Sequence, residues 1–281
     1  MSLRNKAMIV RLSISDWRAR KFDAKATEDF HKSVGANEGS GRYNKVLIAK
    51  EALEDVHKAI SEARRFHKEY TSAWDDNAGR VLSVMNFDEY SKGMRGIISQ
   101  FDKAVKGFVA KYPELRDAAR ETLNGLFNIN DYPSTGNIKH RFAMSTTIEP
   151  IPDAGDFRVD LEDKEIARIK KELKAEMVDR ESLIDKDNFK RIYEALIPIK
   201  EKLSDPEAIF RDSLIENLVE AVERIPSLNV TNNGDLKKVN DEAKKKLASL
   251  EPDNLRNDED ARSQAAQDAE EILKKMAAYT G

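Results

Sequence analysis

Trp17, Arg18, Arg20, Lys21 and Lys25 fall within nine residues, and Arg4, Lys6 and Arg11 lie shortly before them. An indole that stacks on bases, set among cations that meet phosphates, is the minimum for contact with a single nucleic-acid strand. The same residues suit a second role. Trp17 follows an alternating apolar segment, so its ring can anchor a strand-to-helix turn while the basic side chains stay solvated around it.

Other candidate groups are incomplete. The stretch from Gly35 to Arg42 carries Gly35, Gly39 and Gly41 but lacks the Gly-Lys-Ser/Thr ending of a phosphate-cradling loop, and it reads as a flexible turn. Glu54 and His57 have the Glu-x-x-His spacing that di-iron helical bundles use twice, but the second copy is missing and both residues fall beside the apolar seam. His67 occupies a core position, where a lone histidine serves as a hydrogen-bonded packing residue or, less simply, as the centre of an enzyme site. His31 and His140 have no patterned partner. There is no cysteine, which excludes thiol nucleophiles and cysteine-held metals, and no Gly-x-Ser-x-Gly elbow. The pairs Asp75 with Asp76 and Asp153 with Asp156 match turn and cap positions. Lys237, Lys238, Lys244, Lys245 and Lys246 alternate with acidic residues and read as an exposed helix face. The expectation is therefore no catalytic residue, no metal site and no cofactor.

The elements that must position these residues are mostly helical. With 40% hydrophobic, 35% charged and 7% aromatic residues in 281, apolar side chains are spread as stripes over a chain long enough to bury a sizeable core. No window approaches the roughly 18 apolar residues of a spanning helix, and no signal-peptide core is visible, so a soluble protein of a reducing compartment such as the cytoplasm is expected. Net charge is −3, with 26 basic and 22 acidic residues up to position 159 and 22 and 29 beyond it. The first 50 residues hold 11 basic and 5 acidic side chains, which marks that end for a polyanionic partner.

Alternation of Met8, Val10, Leu12 and Ile14, broken by Ile9, predicts a half-buried strand, and Phe142, Met144, Thr146 and Ile148 predict a second that ends at Pro150 and pairs with the first. A helical segment is expected from Trp17 to about Val34. Core spacing of three and four then runs through Val46, Ala49, Leu53, Val56, Ile60, Ala63, His67, Tyr70 and Trp74, in the manner of coiled-coil heptads. Tyr90, Met94, Ile97, Phe101, Val105, Phe108 and Tyr112 form a second stripe, after which Pro113 is expected to open another helix. Asp205-Pro206-Glu207 predicts a further helix start carrying Phe210 in its stripe. The fold class that follows is mainly α. Long antiparallel amphipathic helices form two blocks, 1–159 with the ribbon near 8–14 and 141–148, and 160–281 packed on the first. A two- to three-stranded antiparallel β element joins them.

The interruption between those blocks also carries a family likeness. Leu126-Phe127, Asp131-Tyr132-Pro133-Ser134, Pro150-Ile151-Pro152 and Asp156-Phe157-Arg158-Val159, with Phe210-Arg211-Asp212-Ser213 and Asn217-Leu218, resemble an uncharacterised helical protein family encoded by tailed bacteriophages. The resemblance implies a phage protein made in the bacterial cytoplasm and assigns no chemistry to any residue. From the residues themselves, Tyr132 before Pro133 is extended, and Asp156 to Val159 reads as an extended segment.

Three classes of function are consistent with this pattern. The first is a non-enzymatic binding or scaffold protein, self-associating through its stripes and touching DNA through Trp17, Arg18, Arg20, Lys21 and Lys25. The second is a protein-only adaptor or inhibitor of a host complex, working through the acidic C-terminal block. The third is an enzyme with a site near His67. None of the three involves a membrane.

Overall fold

The computed structural model describes residues 3–75, 79–153, 155 and 162–280, so the Asp156 to Val159 segment lies outside the described residues. In chain order the elements are β1 (Ala7–Ser15), β2 (Arg20–Phe22), α1 (Ala24–Val34), β3 (Asn44–Val46), α2 (Glu54–Tyr70), β4 (Thr71–Ala73), β5 (Gly79–Ser83) and α3 (Phe87–Leu123). After them come β6 (Ala143–Glu149), α4 (Asp163–Ser204), α5 (Ser213–Leu228), α6 (Gly234–Lys246), α7 (Pro252–Asn257) and α8 (Glu259–Thr280). The protein is mainly α. Its β structure is a four-stranded sheet in the order β4-β5-β1-β6 and a separate β2-β3 ribbon. The expected neighbours β1 and β6 do lie side by side, and β6 stops at Glu149, immediately before the proline that cannot donate to a ladder.

The chain divides into two compact units. The first comprises Met1–Arg11, His67–Tyr90 and Thr147–Gly281. Its strands are antiparallel, from Ala7 opposite Ser83 to Arg11 opposite Gly79, and from Thr71 opposite Leu82 to Ala73 opposite Arg80. Ile9 breaks the alternation of β1 because this stretch is covered on both faces: Ile9 and Val10 are both buried, Ile9 against Trp74, Val81 and Ile184. The larger core joins Phe189, Ile192, Leu196 and Ile199 of α4 to Leu218 and Val222 of α5, Leu236 of α6, and Ala269, Ile272 and Met276 of α8. Each large apolar side chain so buried stabilises the fold by about 1.5–3 kcal/mol.

The helix expected at Asp205-Pro206-Glu207 is absent. Asp205 instead accepts from Glu207 N at 3.0 Å in a turn, and α5 begins at Ser213. The Arg262 guanidinium of α8 donates to the carbonyls of Lys202, at 2.9 Å, Asp205 and Ala208, at 2.8 Å, and lies 5.6 Å from the Phe210 ring. These long-range contacts hold the loop open where local capping signals favour a helix.

The second unit comprises Leu12–Phe66 and Ser91–Thr146. Here α2 presents Val56, Ala59, Ile60 and Ala63 to the interior, and α3 presents Met94, Ile97, Phe101, Phe108 and Tyr112. The two helices approach closely at Gly93, where a Cβ would stand 2.2 Å from the tip of the Phe66 ring. Three expectations for helix limits are corrected. The periodic helix starts at Glu54 rather than Val46, which lies in β3, and it gives way to β4 before Trp74. The helix through Tyr112 does not restart at Pro113, because α3 continues through it. Buried Phe108 and Tyr112 hold that turn, with Tyr112 donating to Pro133 O at 2.9 Å, and this tertiary anchoring offsets the hydrogen bond that proline cannot make. Finally, Trp17 to Val34 is not one helix: β2 precedes α1.

Candidate nucleic-acid interface

Asp23 organises the basic segment. Its Oδ1 accepts from Ala26 N at 3.0 Å, which caps α1, and its Oδ2 lies 2.8 Å from Lys45 Nζ. Lys45 Nζ also lies 2.7 Å from Asp131 Oδ2 and donates to Leu126 O at 2.9 Å, while only 5% of the lysine side chain is exposed. The Asp131 contact is ionic rather than a well-aligned hydrogen bond, since Oδ2 accepts none. Burial opposes the ammonium charge, but contacts with Asp131 and Asp23 outweigh it and raise the Lys45 pKa. The Ala26 amide and then Lys45 lower that of Asp23.

This cluster seats the β2-β3 ribbon. Arg20 pairs with Val46, Lys21 with Lys45 and Phe22 with Asn44 in antiparallel register. Alternation therefore places Arg20, Phe22, Asn44 and Val46 on the face opposite Lys45. Arg42 extends that face, its guanidinium 5.7 Å from the Phe22 ring centroid. A two-stranded ribbon is marginal alone, and this one is closed at both ends: Leu47 N donates to Ala19 O at 2.7 Å and Asp23 N to Tyr43 O at 3.0 Å. Ala19 adopts the left-handed conformation, φ 50°, at a cost of about 1 kcal/mol, to make the turn into β2.

The five residues singled out in the sequence separate by role. The half-buried Trp17 ring packs against Tyr112 and Phe108, with centroids at 5.6 and 6.2 Å, so it anchors the segment. Arg18, Arg20, Lys21 and Lys25 are exposed, and none forms an ion pair among the described residues. Arg4 and Arg11 belong to the first unit and pair there, Arg4 with Asp153 at 3.4 Å and Arg11 with Asp75 at 3.0 Å. Sequence reasoning gave Phe22, Arg42 and Asn44 no functional role and placed Val46 in a helical core stripe rather than on this face. The signal for Phe22 and Arg42 was the pair of basic-aromatic steps, Lys21-Phe22 and Arg42-Tyr43, on either side of α1.

The remaining candidates have structural partners. Glu54 pairs with Lys58 at 2.9 Å, and His57 Nε2 stands 3.8 Å from Asp16; both line an open groove of about 1080 Å³ between α2 and α3. His67 is outside that groove, buried in the first unit, with Nδ1 2.8 Å from the Tyr90 hydroxyl. Burial, and next the Arg80 charge, depress its pKa to about 4. Gly35 and Gly39 take positive φ, 64° and 86°, in the turn after α1. Among the described residues no group of three or more His, Asp or Glu is placed to hold a metal ion, and no helix is long and apolar enough to cross a membrane.

The fold thus defines a class, a mainly helical protein carrying a short exposed basic ribbon. No family model matches the chain, and no curated protein or solved structure matches it.

Proposed function

We propose that the chain is a non-enzymatic binding protein that associates with nucleic acid through its Arg18 to Val46 segment, in the cytoplasm of a bacterium infected by a tailed phage. The observation that carries this is the exposure of Arg18, Arg20, Lys21 and Lys25, without ionic partners among the described residues, with Arg20 and Lys21 on the ribbon, Arg18 just before it and Lys25 in the first turn of α1. Residues 18–46 hold seven basic and four acidic side chains, and two of the acids, Asp23 and Glu28, are occupied by Lys45 and Lys32. The net field over the segment is positive and accessible, which favours phosphate.

A salt titration of binding to a labelled single-stranded oligonucleotide tests the role. Affinity should fall steeply as salt rises, and the Arg18→Glu, Arg20→Glu, Lys21→Glu triple variant should bind weakly. Its log-log slope should be shallower by about 0.7 for each phosphate that is no longer neutralised. Unchanged affinity and slope in that variant would overturn the proposal.

A further inference from the structure

Apolar exposure is concentrated where the cations are. Eleven large hydrophobic residues stand well exposed among the described residues, and five of them, Phe22, Phe30, Val34, Tyr43 and Val46, come from residues 22–46. Phe22 and Val46 are each 47% exposed on the outer ribbon face. The inner face is fixed by Lys45, so the outer face cannot turn inward to hide its ring without breaking two ion pairs. A half-exposed aromatic ring beside two arginines has the chemistry to meet something planar and anionic.

We propose that the outer face of the β2-β3 ribbon is a stacking platform for a single nucleic-acid strand, in which Phe22 takes an unpaired base, Arg42 and Arg20 meet the flanking phosphates, and Asn44 faces the base edge. This assignment rests on the nucleic-acid role proposed above. Phe22 and Asn44 are directly opposed in the ladder, which brings their Cβ atoms to about 5 Å and sets an amide with both donor and acceptor at the rim of the ring. Arg42 stands over one face of the Phe22 ring, so an incoming base would use the other face, with the guanidinium close enough to the ring to reach a phosphate next to that base. Duplex DNA buries its base faces in its own stack and offers this ring nothing. An acidic protein surface would satisfy the arginines while leaving the ring without a planar partner. The platform is short, about 10 Å along the strands.

The test compares Phe22→Ala, Phe22→Trp and the Arg20→Glu, Lys21→Glu double variant for binding to a single-stranded oligonucleotide, the matching duplex and polyglutamate. Phe22→Ala should weaken single-strand binding roughly ten-fold with an unchanged salt slope. Phe22→Trp should restore it, and duplex binding should not respond to either change. Single-strand binding that is equal in wild type, Phe22→Ala and Phe22→Trp, while the charge-reversed variant is weakened, would overturn the platform and leave the phosphate-binding role standing. Equal weakening on single strand and duplex in Phe22→Ala would also overturn it, as would polyglutamate competing as well as the oligonucleotide. Wild-type affinity in the charge-reversed variant would remove the nucleic-acid role itself.

Discussion

The β2-β3 ribbon with its flanks and helix α6 are both rich in cations, and they pair them to different extents. On α6, Lys237 lies 2.5 Å from Asp241, Lys238 2.9 Å from Asp235, and Lys246 2.8 and 3.1 Å from Asp268 and Glu271 of α8. The field of these three is cancelled locally, while Lys244 and Lys245 at the end of the helix stay exposed without an ion pair among the described residues. On the ribbon the one cation with strong partners, Lys45, is buried, and its neighbours, Arg20 and Lys21 across the ladder and Arg42 beside it, remain exposed. Composition alone ranks the two segments alike. The difference is made by whether carboxylates stand three or four residues away on a helix, as Asp235, Asp241 and Glu242 do for Lys238, Lys237 and Lys246 of α6, or whether strand geometry sends successive side chains to opposite faces.

Breaking the ribbon's seat should give the largest effect. Lys45→Met leaves Asp23 and Asp131 facing each other without their shared cation, and should cost about 3 kcal/mol in a denaturant titration, with the ribbon amides losing exchange protection first. Lys237 and Lys238 of α6, which pair on the exposed surface, carry no such weight.

His67 comes next and sets the pH range in which the regions can be compared. Its folded pKa, about 4, is depressed below the ordinary 6.5, so the unfolded chain binds the proton more readily. The associated stability is fully present above pH 6.5 and is lost as pH falls toward 4, by about 3 kcal/mol in all. In His67→Gln that part of the pH dependence should vanish, as followed by thermal melting at several pH values. A wild-type curve that is flat across the window would remove the buried-neutral assignment.

Smaller effects sharpen the α6 side. Asn233 Oδ1 accepts from Asp235 N and Leu236 N, each at 3.0 Å, so Asn233→Ala should cost about 1 kcal/mol by removing the cap. Lys238→Gln removes only an exposed pair and should leave the denaturation midpoint unchanged.

Much of this architecture is legible in the sequence. The β1 and β6 alternations and the stop at Pro150 identify neighbouring strands, and Leu53 to Tyr70 carries a stripe that does line the interior. The failures share a cause. Val46 matches the three-four spacing by coincidence, because a three-residue strand is too short to show its own period. Pro113 and Asp205-Pro206 give sound local signals that contacts distant in sequence overrule, the aromatic anchoring of α3 in one case and Arg262 in the other. The basic segment is visible as charge, but the role of each ring is not. Trp17, expected as a stacking group or as an anchor, packs against Tyr112 and Phe108, whereas Phe22, unremarkable in the sequence, stands open.

The most direct measurement is a matched pair of charge reversals assayed for single-stranded oligonucleotide binding at equal salt, Arg20→Glu with Lys21→Glu on the ribbon and Lys237→Glu with Lys238→Glu on α6. Ribbon reversal should lower affinity by roughly ten-fold or more and flatten the salt dependence, and α6 reversal should leave both unchanged. Equal weakening by the two pairs would mean that net charge alone governs binding, and would contradict the ribbon as the interface.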